Sequence, residues 1–209
     1  DHSPGDAEAL EVLLKMVQAQ ENLTRFEGTA AARVCARGRN VLTTSVDFII
    51  ERPNRVAVRW LGMTIRPRRG LVFIDPEMLA SPDYALSLLS KPGPNSDSAS
   101  AKCERWVISA IALPQNPVQL RWTLYVDPDT WLIRRAEVVE GAVSATSADE
   151  ASVVEADYHQ AGYRRWEPDL LWARGRLVLE ELLPDFLVNL IMGRGSSGAT
   201  VSVQLDFNE

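Results

Sequence analysis

The chain has 209 residues, 46% of them hydrophobic and 24% charged, which is ordinary globular usage and excludes wholesale disorder, collagen-like repeats and a disulfide-dense miniprotein. With 22 basic residues against 28 acidic ones the net charge is -6, so no global field supports a counterion-driven grip on nucleic acid. Two cysteines in no CxxC pair and two histidines, His2 and His159, leave no residue set for a structural zinc site or a His-rich metal site.

The start, Asp1-His2-Ser3-Pro4-Gly5, has no initiator Met, no basic n-region and no apolar h-region, so either a signal peptide has been removed or the chain was trimmed. Leu10, Leu13, Leu14 and Val17 fall at i, i+3, i+4 and i+7 and predict one apolar stripe on a helix of about Asp6 to Thr24. Beyond Phe26 the period becomes two. Thr44, Val46, Phe48 and Ile50 share one face of a half-buried strand, with Thr43, Ser45, Asp47 and Glu51 on the other. Pro53-Asn54 breaks that strand, and Val56, Val58 and Trp60 then alternate with Arg55, Ala57 and Arg59, which predicts an antiparallel hairpin.

Leu71 to Ile74 reads as another short strand. Asp83 to Leu89 carries a small helical stripe, with Ser81 as N-cap and Pro82 at the first helical position. Lys91 to Ala101 is rich in Pro, Gly and Ser and reads as a surface loop or linker. Strands follow at about Cys103 to Ala112, Leu120 to Val126, Ile133 to Val139, Ser152 to Tyr158 and Thr200 to Phe207. Between the last two, Leu170 to Met192 fits helix or strand, and Pro184 would have to kink a helix there. No apolar run reaches the ~20 residues of a membrane helix, since Leu182 to Met192 is broken by Pro184 and Asp185. Many short strands with few helical patterns between them argue for one domain over 1–209, mainly β, with one antiparallel sheet system.

No catalytic constellation emerges from this order. Gly193-Arg194-Gly195-Ser196-Ser197-Gly198 satisfies GxGxxG, but a strand follows it where a dinucleotide site needs a helix. Asp127 and Asp129 flank a proline between two strands, which is turn chemistry before it is an acid and base pair. The basic strings Arg66-Pro67-Arg68-Arg69, Arg134-Arg135 and Arg164-Arg165 read as solvated turns or faces, or as a docking patch for an anionic membrane or an acidic protein. Six tryptophans, Trp60, Trp106, Trp122, Trp131, Trp166 and Trp172, fit core packing, or the apolar lining of a curved sheet held open for a ligand.

Several local strings resemble the outer-membrane lipoprotein carrier superfamily, the LolA and LolB group together with the RseB/MucB sensor domains. An opening helix leads through Leu23-Thr24-Arg25-Phe26-Glu27-Gly28 into the first strand. Phe48-Ile49-Ile50-Glu51-Arg52-Pro53-Asn54-Arg55-Val56 is similar to the carrier's strand, Arg-Pro-Asn, strand hairpin. Leu124-Tyr125-Val126-Asp127-Pro128-Asp129-Thr130 followed by Ile133-Arg134-Arg135-Ala136-Glu137 resembles its Asp-x-x-Thr turn, with Ile133 where Pro is usual. Cys103-Glu104-Arg105-Trp106-Val107 is similar to the RseB-like subgroup.

The resemblance implies a curved antiparallel sheet forming an unclosed half-barrel, with helices covering the open side and an apolar cavity for acyl chains beneath. Val46, Phe48, Val58, Trp60, Trp122 and Leu124 are the expected cavity walls, and Arg52 matches the arginine that ties the lid in the carriers. The Arg-rich loop and the Lys91 to Ala101 stretch depart from the carrier pattern. An oxidising location would pair Cys35 with Cys103 across a separation of 68 residues, and two buried free thiols are the alternative. The expected function is a non-enzymatic, extracytoplasmic carrier of a lipid or lipoprotein acyl chain, without cofactor, lipid-anchored or not upstream of Asp1. A sensor of the RseB kind, in which the cavity detects lipid and a surface binds a membrane-anchored partner, is the second reading. A hydrolase on another β fold is the third.

Overall fold

The computed structural model describes residues 4–20, 25–51, 55–67, 70, 71, 74–93, 104–141, 151–163, 165–192 and 201–207. The chain opens with helix α1 (Pro4–Ala19), and its buried stripe is Ala9, Val12, Leu13 and Met16. The helix is rotated by about one residue from the sequence expectation. Leu10 and Leu14 face outward, because Ala9 and Met16 complete a second i, i+3, i+4, i+7 stripe that fits against the sheet.

Strands β1 (Arg25–Ala36) and β2 (Arg39–Glu51) form a long hairpin turned at Arg37-Gly38, and β3 (Arg55–Trp60) and β4 (Met63–Ile65) a short one turned at Leu61-Gly62. Both turns hold two successive residues at positive φ, 52° and 72° in the first, 48° and 82° in the second. That geometry matches the right-handed twist of the flanking strands, and the glycine in each turn lowers its cost.

After β4 the chain changes edge. The segment 66–83 holds the one-turn helix α2 (Pro76–Leu79), and β5 (Tyr84–Ser90) then begins the opposite side of the sheet. From there β6 (Trp106–Ala112), β7 (Leu120–Val126), β8 (Ile133–Glu140), β9 (Ser152–Gly162) and β10 (Arg165–Arg174) run as a meander. Helices α3 (Arg176–Leu182) and α4 (Asp185–Met192) interrupt it, and β11 (Val201–Asp206) closes beside β1. The result is one 11-stranded antiparallel sheet in the order β4-β3-β2-β1-β11-β10-β9-β8-β7-β6-β5. Its ends, β4 and β5, do not pair, so the sheet is an unclosed half-barrel.

Two expectations are corrected. Asp83 to Leu89 is not helical: Tyr84, Leu86 and Leu88 alternate toward the core as β5, an edge strand paired to β6. The helix lies one motif earlier, where Asp75 accepts the Glu77 N–H at 3.0 Å and Pro76 takes the first helical position. Ser81 does accept the Asp83 N–H, at 3.4 Å, but as a local turn. Leu71 and Ile74 are not in a strand either, and the Leu71 N–H is bonded to a side chain instead. The ambiguous stretch from Leu170 onward is strand, then two helices, with Leu183-Pro184 as the break between them. Residues 94–103 and the GxGxxG string lie outside the described residues, as do Arg52, Pro53 and Asn54.

The Asp127-Pro128-Asp129 string is a turn. Asp127 Oδ1 accepts the N–H of Asp129 at 3.0 Å and of Thr130 at 2.8 Å. Partial burial pushes the Asp127 carboxyl up, but the hydrogen bonds from Thr130 and Asp129, with the charge of Arg134, outweigh it and hold it below its ordinary value.

Gly175 joins β10 to α3 with φ at +95°, and a Cβ there would lie 2.6 Å from Ser152 Cα and Oγ. The closeness has a purpose: Ser152 Oγ accepts the Leu177 N–H at 3.0 Å, one of the donors the first turn of α3 leaves free. Gly175→Ala therefore meets both a clash and an unfavourable φ and should cost about 3 kcal/mol. Urea unfolding followed by far-UV circular dichroism checks this, with a lowered midpoint expected at unchanged slope.

Candidate ligand-binding interior

Alternation along the strands makes one face of the sheet apolar. On β1 the buried residues are Phe26, Ala30, Ala32 and Val34; on β7 they are Leu120, Trp122, Leu124 and Val126. The same period puts Val201, Val203 and Leu205 of β11 inward, at the centre of the sheet. Period-two burial over so many strands requires a cover, because the described residues form no second sheet to take the apolar face.

Three pieces supply the cover, and all bury side chains in the same core cluster as the strands. The first is α1. The second is the segment between the two sheet edges, with Leu71 and Leu79 fully buried. The third is the α3–α4 pair, with Leu177, Val178, Leu179, Leu182, Leu183 and Leu187. Among the described residues no backbone ladder ties these pieces to one another, and a buried polar contact joins two of them: Glu181 of α3, only 5% exposed, accepts the backbone N–H of Leu71 at 2.9 Å.

All six expected wall residues lie on the inner face. Val46 pairs with Trp60 and Phe48 with Val58 across β2 and β3, while Trp122 and Leu124 sit on β7 in the opposite wing. Each is at most 1% exposed and belongs to the one core cluster. Two of them carry a polar atom that the apolar reading overlooked. Trp60 Nε1 and Trp122 Nε1 are buried and, among the described residues, donate to no acceptor.

Two described pockets lie at the margins of this interior. One, of about 470 Å³, runs between β4 and the α3–α4 pair and is lined by Met63, Ile65, Arg66, Leu177, Glu181 and Asp185 among others. The other, of about 350 Å³, is lined by Lys15, Gln18, Asp129, Trp131, Gln160, Tyr163 and Trp166. In it Trp131 stacks on Trp106 at 6.0 Å and lies under Lys15 Nζ at 4.8 Å.

Of the arginine strings, Arg68, Arg69 and Arg164 lie outside the described residues, while Arg134, Arg135 and Arg165 are paired with acids. Arg134 meets Asp127 and Asp157, Arg135 meets Glu137 and Glu155, and Arg165 meets Glu167. His159 Nδ1 lies 2.6 Å from Asp169 Oδ1 in an exposed pair. Among the described residues no group of His, Cys, Asp and Glu could hold a metal ion. Cys35 is a free, half-buried thiol on β1, while Cys103 and the lid candidate Arg52 lie outside the described residues.

An open antiparallel half-barrel with an apolar concave face under helices defines a class of fold, and solved structures share it. A DUF1329 family protein from Desulfovibrio piger is similar over 98% of this chain and 91% of its own, with a TM-score of 0.54 at 10% identity. A domain assigned to outer-membrane lipoprotein sorting from Vibrio parahaemolyticus matches over 98% and 92%, with a TM-score of 0.52 at 9% identity. A LolA superfamily protein from Nitrosomonas europaea is similar over 96% and 91%, with 0.47 at 12% identity. The first two carry the comparison of fold, and the likeness to the lipoprotein carrier superfamily read from the sequence is thereby matched in architecture. No family model matches the sequence, and no curated protein matches it either.

The Glu181 contact is a feature the sequence reading passed over, although a glutamate inside Leu177-Val178-Leu179-Glu180-Glu181-Leu182-Leu183 is a visible signal for a buried, bonded carboxylate. Glu181→Leu leaves the buried Leu71 N–H without this acceptor and should lower stability by about 1–3 kcal/mol. Glu181→Gln, which keeps a carbonyl oxygen at the same reach, should recover most of that loss in the same denaturation measurement.

Proposed function

We propose that this chain is a non-enzymatic extracytoplasmic protein that holds the acyl chain of a lipid or lipoprotein against the inner face of its half-barrel. The observation that carries the reading is how the apolar face is closed. Helices and one crossing segment cover it mainly through apolar side chains, so lifting the cover breaks no bond of the strand ladder, and the Ser152–Leu177 bond is the described polar tie between α3 and the sheet. An acyl chain that replaced the cover's leucines would keep the face dry, at ~0.8 kcal/mol of gross driving force per buried CH₂. Val46, Phe48, Val58, Trp60, Trp122 and Leu124 are the proposed walls. Arg52 is the proposed lid contact, on the strength of its match to the carriers' arginine alone.

The sensor reading, with a membrane-anchored protein as partner, gains support from exposed apolar side chains: Met63, which lines the larger pocket, and Phe186 and Leu190 on α4. It shares the acyl-binding step and adds a protein surface to it.

A titration with a fluorescent fatty acid tests the shared step. Saturable binding near one chain per protein, displaced by unlabelled fatty acid, is expected; a linear, non-displaceable signal would defeat the reading. In the same assay Arg52→Leu should change the rate at which bound probe is released while the circular dichroism spectrum stays that of the parent.

A further inference from the structure

Buried indole groups nearly always find an acceptor for their N–H, because leaving it unpaired in a low-dielectric interior carries most of its desolvation cost. This protein leaves two. Trp60 and Trp122 are both 0% exposed, and among the described residues the Nε1 of each is without a partner. They occupy opposite wings of the sheet, one on β3 next to the β4 edge and one on β7, two strands from the β5 edge. Trp60 has Val46 and Met63 as cross-strand neighbours, and Trp122 has Ala110 and Val138. The aliphatic side chains cannot accept a hydrogen bond, the Met63 thioether is at best a weak acceptor, and neither indole N–H meets a partner among the described residues.

Phenylalanine would fill an apolar wall without the polar atom. An N–H on each wing of a mainly apolar interior is suited to a ligand that is mainly hydrocarbon but brings acceptors of its own. A bare alkyl chain offers none. A carbonyl oxygen at the head of an acyl chain accepts a hydrogen bond and lies next to the hydrocarbon, so it can reach a wall donor while the chain stays buried.

We propose that Trp60 Nε1 and Trp122 Nε1 are the specificity donors of the interior, bonding the ester carbonyls of an acylated lipid. The inference rests on the acyl-binding reading and adds the chemical class of the ligand: acyl esters in preference to ethers or alkanes. The donors stay unpaired in the closed, ligand-free protein and become paired when the cover lifts and the lipid enters.

The test compares two water-soluble lipids below their micelle concentrations, dioctanoyl phosphatidylcholine and its dioctyl ether counterpart, which lacks both carbonyls. Calorimetric or displacement titration gives the ester-to-ether affinity ratio for the parent protein, Trp60→Phe and Trp122→Phe. Loss of a single hydrogen bond should lower that ratio about fivefold in each variant. Any packing defect from the smaller ring weakens both lipids together and leaves the ratio alone. A parent protein that binds the two lipids equally, or variants that keep the parent's ratio, would overturn the assignment while leaving acyl binding intact. Failure of the parent to bind either lipid would overturn both.

Discussion

A sheet of many strands with one apolar face cannot be left open to water, and in this protein the whole architecture follows from how that face is covered. Closing the strands into a barrel would remove the edges and seal the interior with a ladder of hydrogen bonds. Here β4 and β5 stay apart, and the covering is done by α1, the edge-to-edge segment and the α3–α4 pair. Their contacts with the sheet are mainly those of aliphatic side chains, with the Ser152–Leu177 hydrogen bond as a polar exception. The link from Glu181 to Leu71 joins the crossing segment to α3 at a single buried point. A cover of that kind is non-directional in its attraction, and it can be exchanged for another apolar body of similar area.

Local chemistry serves the same end. Gly175, with its positive φ, lets the chain turn out of β10 close enough for Ser152 to cap α3, which aims that helix back over the concave face. The Asp75-Pro76 pair starts α2 in the middle of the crossing segment, and Leu79 is thereby carried inward. At the β7–β8 end, Asp127 organises its turn through backbone N–H groups and an arginine, so its carboxylate is structural. Trp131, at a φ of 59°, is set by that turn against Trp106 and under Lys15 of α1. The cover and the sheet thus touch at defined places and slide over apolar surface elsewhere.

Much of this was legible in the residues. Strict period-two runs such as Leu120 to Val126 gave the strand to the residue, because one face is buried and the register is fixed by that burial. The antiparallel class followed from many short strands with few helices between them, and the expectation that the sheet stays open came from the resemblance to the carriers. Segments without a strict period went wrong. Tyr84 to Ser90 contains two adjacent leucines, which fit a helical stripe as well as an edge strand, and only pairing with β6 decides between them. The first helix was placed, but its inward stripe was not, since two overlapping apolar stripes exist and the sheet selects one. The Leu71 contact depends on residues 110 positions apart and left no local trace on the Leu71 side. The two unpaired indole groups could not be seen at all, because a sequence shows a tryptophan's size and never whether its N–H is answered.

The central claim is that the apolar interior is a place for an acyl chain and not merely a packed core. Native mass spectrometry of the protein expressed into the periplasm of a bacterial host and purified without detergent tests it most directly. The account predicts a population heavier than the bare chain by the mass of one lipid, which gentle collisional activation releases as an identifiable acyl species. A single bare mass, unchanged after incubation with lipid vesicles, would contradict it.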